Sequence, residues 1–206
     1  MPATATSGSN GALPTDVVHQ NYAAGKKTYI LSLTFPSLDA ALPHLKRMSY
    51  GTDVWELRAD LLSLTTPEFV SQQIALLKRY SNLPVLFTLR TRSQGGQFPD
   101  DKGSETLELL LTAVKTGCEY ISIELDSSAE IVDKLKEKKG GAVLVASWQD
   151  WSGSIRWRDP VLKERCLQAE NIGGKLHSSS FKLLRDWYLT CKLRYYIARH
   201  SRYGRV

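Results

Sequence analysis

Cysteine is scarce in this sequence and is not arranged for cross-linking or metal binding. The cysteines lie far apart without a CxxC pair, at Cys118, Cys166 and Cys191. This spacing excludes a disulfide scaffold and a cysteine-based zinc site, and it fits a reducing compartment. The chain also lacks a run of the roughly 18 apolar residues that a membrane helix needs, and it does not start with the pattern of a secretory signal. We therefore expect a cytoplasmic protein without a membrane segment.

The net charge of +6 comes from one end of the chain. Residues 175–206 hold eight basic residues and one acidic residue, which leaves 19 basic and 20 acidic residues elsewhere. Basic residues interleaved with Tyr and Trp could bind phosphates and stack on bases, or form an amphipathic helix on a membrane surface. We favour the simpler interpretation that residues 173–206 are a divergent basic tail, predicted as helical, that is solvated or partly disordered and packs its aromatic residues on the barrel. Any contact with nucleic acid is expected only there.

The rest of the composition permits a sizeable core, since 42% of the residues are apolar. Residues 1–27 are interpreted as a flexible lead, because their first half is polar and has no apolar periodicity. From residue 28 onward, short β-rich apolar runs alternate with stretches of helical spacing. The predicted strands are 29–33, 54–58, 85–90, 120–125 and 142–147, and the predicted helices are 38–48, 67–80, 104–116 and 128–138.

Strands that alternate with helices predict βαβ units and a parallel sheet, so the predicted class is α/β. The strands begin about 22–36 residues apart, which is typical of a (β/α)₈ barrel or a doubly wound sheet. Neither GxGxxG nor GxxxxGK[ST] follows a predicted strand, so a nucleotide site has no support.

Polar side chains recur at the ends of the predicted strands. A charged residue that ends an apolar strand is costly to bury unless it is paired. Several such residues on successive strands indicate one shared polar pocket, although each could instead cap its own strand in solvent. The residues are Glu56, Arg58, Arg90, Glu124 and the run 147–150.

Four blocks in order resemble type I 3-dehydroquinate dehydratase, in the fungal form found in the pentafunctional arom polypeptide and the quinate repressor. The resemblance covers residues 28–172 and implies a (β/α)₈ TIM barrel, of which about five to six βα units are recognisable. It also implies chemistry without a metal or organic cofactor, in which a lysine forms a Schiff base with 3-dehydroquinate and a histidine removes the proton. The blocks are Tyr29-Ile-Leu-Ser-Leu-Thr, Trp55-Glu-Leu-Arg-Ala-Asp-Leu-Leu, Phe87-Thr-Leu-Arg-Thr-Arg-Ser-Gln-Gly-Gly-Gln-Phe-Pro-Asp and Tyr120-Ile-Ser-Ile-Glu-Leu.

The resemblance assigns several of these residues to substrate binding. Ser32 matches the serine that ends the first strand, and Glu56 and Arg58 match a Glu-x-Arg pair that faces the substrate. Arg90 matches the third-strand arginine that bonds ring hydroxyls, and Gln94 matches a position that is Gln in the fungal pattern and acidic in the bacterial one. Together they predict a site for a small ligand of the quinate or 3-dehydroquinate type.

The fifth predicted strand departs from the family pattern. The family reads Ser-x-His-Asp there, whereas this chain has Gln149 at the position of the catalytic histidine. A glutamine amide does not titrate near neutral pH and cannot serve as a general base. The histidines offer no obvious substitute, because they lie in the lead, the first helix, the sixth-strand region and the tail, at His19, His44, His177 and His200.

The match fades after Asn171. In the family the Schiff-base lysine is followed by a leucine and lies in an apolar sixth strand. Lys175 is also followed by a leucine, but the residues around this pair are not apolar. Lys175 is the candidate for this lysine, and an ordinary solvated lysine is the alternative. Eight βα units at the observed pace would reach about residue 230–250. We therefore expect an incomplete barrel whose open edge is covered by a partner domain or a second copy.

Three functions follow from these observations. The first is a 3-dehydroquinase-like domain that has lost its base, either as a regulatory module of the quinate-repressor type, for which a nuclear location is also possible, or as a damaged copy. The second is an active 3-dehydroquinate dehydratase with another base. The third is a nucleic-acid binder that uses only the basic tail.

Overall fold

The computed structural model describes residues 17–150, 155 and 159–173, in which strands and helices alternate along the chain. The strands are β1 (Ile30–Leu33), β2 (Val54–Arg58), β3 (Val85–Thr88), β4 (Tyr120–Glu124) and β5 (Val143–Ser147). The helices are α1 (Val17–Ala23), α2 (Leu42–Met48), α3 (Pro67–Tyr80), α4 (Gly103–Lys115), α5 (Ala129–Lys138) and α6 (Pro160–Gly173), with 3₁₀ turns at Leu38–Ala40 and Ala59–Leu61.

The strands form one parallel sheet in the order β1-β2-β3-β4-β5. Spatial order therefore equals chain order, as in a (β/α)₈ barrel, whereas a doubly wound sheet reverses its order at a switch point. The predicted α/β class and barrel type are confirmed, with five strands in the described part of the chain. Within that part, β1 and β5 each have one neighbouring strand. That a partner covers an open edge stays a prediction.

Helix capping explains where two of the helices begin. The Thr66 side chain accepts a hydrogen bond from Phe69 N, and Pro67 follows at the first helical position, so α3 has the predicted bounds. The Ser128 side chain accepts from Ile131 N in the same way at the start of α5. Among the described residues, no helix is long and apolar enough to cross a bilayer.

The first predicted helix is divided in the structure. A 3₁₀ turn at Leu38–Ala40 precedes α2, which begins at Leu42. Pro43 has no N–H to donate to the carbonyl four residues earlier, so one continuous helix from residue 38 could not complete its bonding. Helices α1 and α6 were not predicted, and the tail beyond Gly173 lies outside the described residues.

The two faces of the sheet pack against different parts of the chain. Trp55, Leu57 and Phe87 point towards the surrounding helices and belong to the main core. The opposite face, called here the inner face, carries a second apolar cluster of Val54, Leu86 and Tyr120. Val17 and Val18 of α1 pack against this cluster, so part of the segment predicted as a flexible lead covers the inner face.

Strand alternation separates apolar and polar residues along the inner face. Because successive side chains point to opposite faces, Glu56 and Arg58 share the face of Val54. Likewise, Thr88 shares the face of Leu86. Apolar residues thus lie towards the starts of the strands, and polar residues lie towards their carboxyl ends. Ligands bind at that end of parallel barrels.

Glu119 fastens the start of β3 to the segment before β4. Its Oε2 accepts from Val85 N at 2.8 Å, and its Oε1 accepts from Lys78 Nζ at 2.5 Å. We expect Glu119→Ala to lower the free energy of unfolding by about 1–3 kcal/mol, because it leaves the buried Val85 amide without its acceptor. Urea unfolding monitored by circular dichroism measures the change.

Glu119→Gln is the matched control, since its amide oxygen can still accept from Val85 N. It should cost less than half as much as the alanine variant. An alanine variant as stable as the unmodified chain, or equal losses in both variants, would contradict this role of Glu119.

Candidate functional site

The centre of the inner face is a carboxylate that bonds hydroxyl groups on both sides. Glu56 pairs with Ser32 in the register between β1 and β2, so the two side chains lie next to each other. Ser32 Oγ donates to Glu56 Oε2, and Thr88 Oγ1 donates to Glu56 Oε1 at 2.7 Å. Glu56 therefore joins three strands. The structure brings together Ser32 and Glu56, as the sequence predicts.

Arg58, two residues further along β2, forms a two-point contact with Asp60. Arg58 Nε donates to Asp60 Oδ1 at 2.9 Å, and Nη2 donates to Oδ2 at 2.8 Å. The Asp60 side chain is fully buried, and its Oδ2 also accepts from Gln97 N at 3.2 Å. Burial disfavours the guanidinium charge, but the bonds to Asp60 and the nearby Glu56 outweigh this and raise the pKa of Arg58.

Arg90 lies at the base of the segment 91–98 that follows β3, called here the β3 loop. The loop folds back on Arg90, whose carbonyl accepts from Phe98 N at 3.1 Å. Gly96 makes this close approach possible, because a Cβ there would lie 2.0 Å from the Arg90 carbonyl oxygen. Arg90 is buried, with 8% of its surface exposed. Strand β3 ends at Thr88, two residues earlier than predicted.

Glu124, at the end of β4, fixes the other side of the loop. Its carboxylate accepts from Thr91 N at 2.9 Å and from Thr91 Oγ1 at 2.7 Å. Burial raises the pKa of Glu124, and the bonds from Thr91 and the charge of Arg90 only partly oppose this. An acid whose pKa is raised by folding destabilises the fold once ionised. This destabilisation is absent at pH values below the ordinary pKa of a glutamate. It is complete at pH values above the raised pKa of Glu124 in the folded protein.

Gln149 lies just beyond the end of β5, at the same edge as the residues above. It is half-buried, and its backbone N donates to Gln94 Oε1 at 2.8 Å. The structure thus places Gln149 beside the β3 loop. The His44 side chain is exposed on α2, on the outer layer, and no side-chain placement is described for the other three histidines.

Lys175, the candidate Schiff-base lysine, lies outside the described residues, and its predicted role stays a prediction. Within the described residues, no three His, Cys, Asp or Glu side chains are grouped so that they could hold a metal ion. The residues that the structure brings to the carboxyl ends of the strands are Ser32, Glu56, Arg58, Arg90, Glu124 and Gln149.

Sequence reasoning missed several residues that support the site. Asp60 belongs to the same sequence block as Arg58, and an acidic residue directly after a strand end was the available signal. Thr88 was identifiable from alternation, because it lies two residues from Leu86 on the same face. The contact of Gln94 with Asp126 had no sequence signal, because it joins residues 32 positions apart through loops.

These features define a parallel α/β domain of barrel type with a polar site at the carboxyl ends of its strands. Comparison with known families identifies which one. The family model of type I 3-dehydroquinase matches residues 29–177, and the chain belongs to this family.

Curated relatives support the same assignment. The chain is 41% identical over 152 residues to the pentafunctional AROM polypeptide of Mycosarcoma maydis, which covers 69% of this chain and 9% of that protein. It is 40% identical over 151 residues to the pentafunctional AROM polypeptide of Scheffersomyces stipitis, covering 73% of this chain and 10% of that protein. The chain therefore spans about a tenth of the length of these relatives.

Solved structures agree on the fold. A structure described as dehydroquinate dehydratase and shikimate dehydrogenase from S. pombe AroM matches with a TM-score of 0.71 and 36% identity, over 75% of this chain and 31% of that one. The 3-dehydroquinate dehydratase of Geobacillus kaustophilus matches with a TM-score of 0.64 over 72% of this chain and 59% of that one. Its identity is 22%, so this second likeness supports the fold alone.

The Asp60 contact yields a stability prediction. Asp60→Ala removes the counter-charge of Arg58 and the acceptor of Gln97 N together, so we expect a loss of about 3 kcal/mol in unfolding free energy. Denaturant titration measures it.

Glu130→Ala is the control. It also removes a carboxylate from an ion pair, with Lys134, but the Glu130 side chain is 73% exposed. An exposed pair contributes little, so this variant should leave the unfolding free energy nearly unchanged. If the Asp60 variant lost no more stability than the Glu130 variant, the contact of Asp60 with Arg58 and Gln97 would not stabilise the fold as described.

Proposed function

We propose that this chain is a type I 3-dehydroquinase-family domain that binds a polyhydroxylated cyclohexane carboxylic acid but does not dehydrate it. The observation that carries the proposal is Gln149, which lies just beyond the carboxyl end of β5. The sequence resemblance assigns this position to the family's general base. The Gln149 amide neither accepts nor releases a proton near neutral pH. The proposal extends to a regulatory role of the quinate-repressor type, which requires binding without turnover.

The nearby carboxylates are poor replacements for the missing base. Both oxygens of Glu56 accept hydrogen bonds from hydroxyl groups, and both oxygens of Glu124 accept from Thr91. Burial raises the pKa of Glu124, but both of its oxygens are occupied by the Thr91 donors, so neither is directed at a substrate proton. These two residues are therefore engaged in joining strands and holding the β3 loop.

The remaining chemistry of the site suits binding. A guanidinium presents a rigid fork that matches carboxylate or hydroxyl oxygens, and a carboxylate accepts from ring hydroxyls. Arg58 and Arg90 supply the guanidinium groups and Glu56 the carboxylate, and the Ser32 hydroxyl oxygen can accept a further hydrogen bond. Because two N–H groups of Arg58 already bond Asp60, the site has limited capacity for a ligand carboxylate. The proposed affinity is accordingly weak.

The first functional prediction concerns catalysis. The purified chain should not dehydrate 3-dehydroquinate above background, because loss of a positioned general base costs about 10²–10⁴-fold in rate. Borohydride reduction should also trap no substrate adduct on Lys175. Ultraviolet absorbance of the product and intact-mass spectrometry are the measurements.

A type I 3-dehydroquinase that has the histidine serves as the positive control in both assays. Turnover comparable to that control, or a lysine adduct in the mass spectrum, would contradict the proposal and favour the alternative of an active dehydratase that works through a Schiff base.

The second functional prediction concerns affinity. Quinate should bind with a Kd of about 1 mM, equivalent to about 4 kcal/mol, and Arg90→Ala should abolish the binding. Arg47→Ala is the control, because Arg47 is exposed in the last turn of α2 and should not affect the affinity. Isothermal calorimetry at high ligand concentration measures all three proteins, with thermal melts to verify that each is folded.

Two results would contradict this prediction. Unchanged binding in the Arg90 variant would place the ligand elsewhere on the molecule. Loss of binding in the Arg47 variant would show that the affinity reflects general attraction of an anion to a basic protein.

A further inference from the structure

Gln94 makes two contacts that together require one hydrogen-bond acceptor and one donor on the same side chain. It is buried, with 6% of its surface exposed. Its Oε1 accepts from Gln149 N at 2.8 Å, and its Nε2 donates to Asp126 Oδ2 at 3.3 Å. A backbone N–H can only donate and a carboxylate can only accept, so the orientation of the amide is fixed by its partners.

Asp126 is itself held in place from α6. Arg165 Nη1 donates to Asp126 Oδ1 at 2.6 Å, and the Arg165 guanidinium lies 4.9 Å from the centre of the Trp148 ring. Gln168 Nε2 adds a bond to Leu125 O at 2.6 Å. The acceptor for the Gln94 amide is therefore positioned by a helix that packs beside β5.

The Gln94 contact connects the two sides of the candidate site. At one side, the base of the β3 loop is bonded to the Arg90 carbonyl through Phe98 N. At the other side, Gln149 follows the last residue of β5. Gln94 is the side chain that bonds from the loop to the Gln149 backbone. The Gln94 side chain therefore bridges the β3 loop and the segment that follows β5.

We propose that Gln94 is a positioning residue that fastens the β3 loop to the end of β5, and that only an uncharged side chain with both a donor and an acceptor can do so beside Asp126. The inference deepens the proposed function, because the loop so fastened forms one wall of the ligand site. It does not depend on a ligand being present.

Charge explains why a carboxylate cannot replace this amide. A carboxylate in its place would accept from Gln149 N but would face the Asp126 carboxylate without a proton between them. Arg165 supplies one positive charge for the pair. The charged groups around the contact are Glu124 at the end of β4, Asp126 just beyond it, Arg165 on α6, Asp150 beside Gln149, and Arg90, Arg92 and Asp100 on and near the β3 loop.

The test is hydrogen exchange of the Gln149 amide in the full chain, expressed as a protection factor so that the intrinsic pH dependence cancels. Gln94→Glu should lower the protection about tenfold at pH 7.5, and protonation should restore it at about pH 4.5. Gln94→Met, which has a similar shape but neither bond, should lower it at both pH values.

The double variant Gln94→Glu/Asp126→Asn supplies the rescue. It exchanges the positions of carboxylate and amide, so the pair can bond again, and protection at pH 7.5 should return to within about threefold of the unmodified chain. Asp126→Asn alone keeps an acceptor for the Gln94 amide and should have a small effect. Full protection in the Gln94→Glu variant at pH 7.5, or a double variant no better protected than that single variant, would overturn the proposal.

Quinate affinity in the same four variants links the contact to the site. We expect the Kd to rise in parallel with the loss of protection and to recover in the double variant. If quinate binds none of the proteins, the proposed function fails while the exchange data still decide the role of Gln94. Unchanged affinity in Gln94→Met with lost protection would overturn the claim that this contact shapes the ligand site.

Discussion

The candidate site depends on the burial of one carboxylate. Asp60 has no exposed side-chain surface, so its charge must be compensated inside the protein. The Arg58 guanidinium balances the charge, and the Gln97 backbone amide donates a hydrogen bond to it. Arg58 belongs to β2 and Gln97 to the loop after β3. The buried charge of Asp60 therefore fixes the Arg58 guanidinium at the carboxyl ends of the strands. It also holds the loop after β3 next to Arg58 through Gln97.

The rest of the site extends this arrangement across the sheet by the same means. Glu56 joins β1, β2 and β3 through hydroxyl groups, and Glu124 joins β4 to the β3 loop through Thr91. Each of these acidic residues thus bonds between strands or between a strand and a loop. This arrangement leaves the domain with groups that can bind an oxygen-rich ring, while the position at the end of β5 has an amide that cannot move a proton.

The parts of this structure that local sequence determines could be predicted from it. The bounds of α3 follow from Thr66 and Pro67, and alternation places Glu56 and Arg58 on one face. Their positions at strand ends also indicated Arg90 and Glu124, whereas Ser32 and the individual roles of the site residues came from the resemblance to a known family. Contacts made through loops had no local signal: the Gln94 bond to Gln149 spans 55 residues, and α1 packs on the inner face through two valines. The interruption at Pro43 was foreseeable but was missed.

The most direct test of the ligand site is a map of quinate binding by amide chemical shifts in the isotopically labelled chain. We predict that the shifts that change during titration are those of Arg58, Arg90, Gln97 and Gln149, which surround the carboxyl ends of the strands. Amides at the starts of the strands, such as Val54 and Tyr120, should not change. Changes confined to the strand starts or to residues 175–206 would contradict a ligand site at this edge of the sheet.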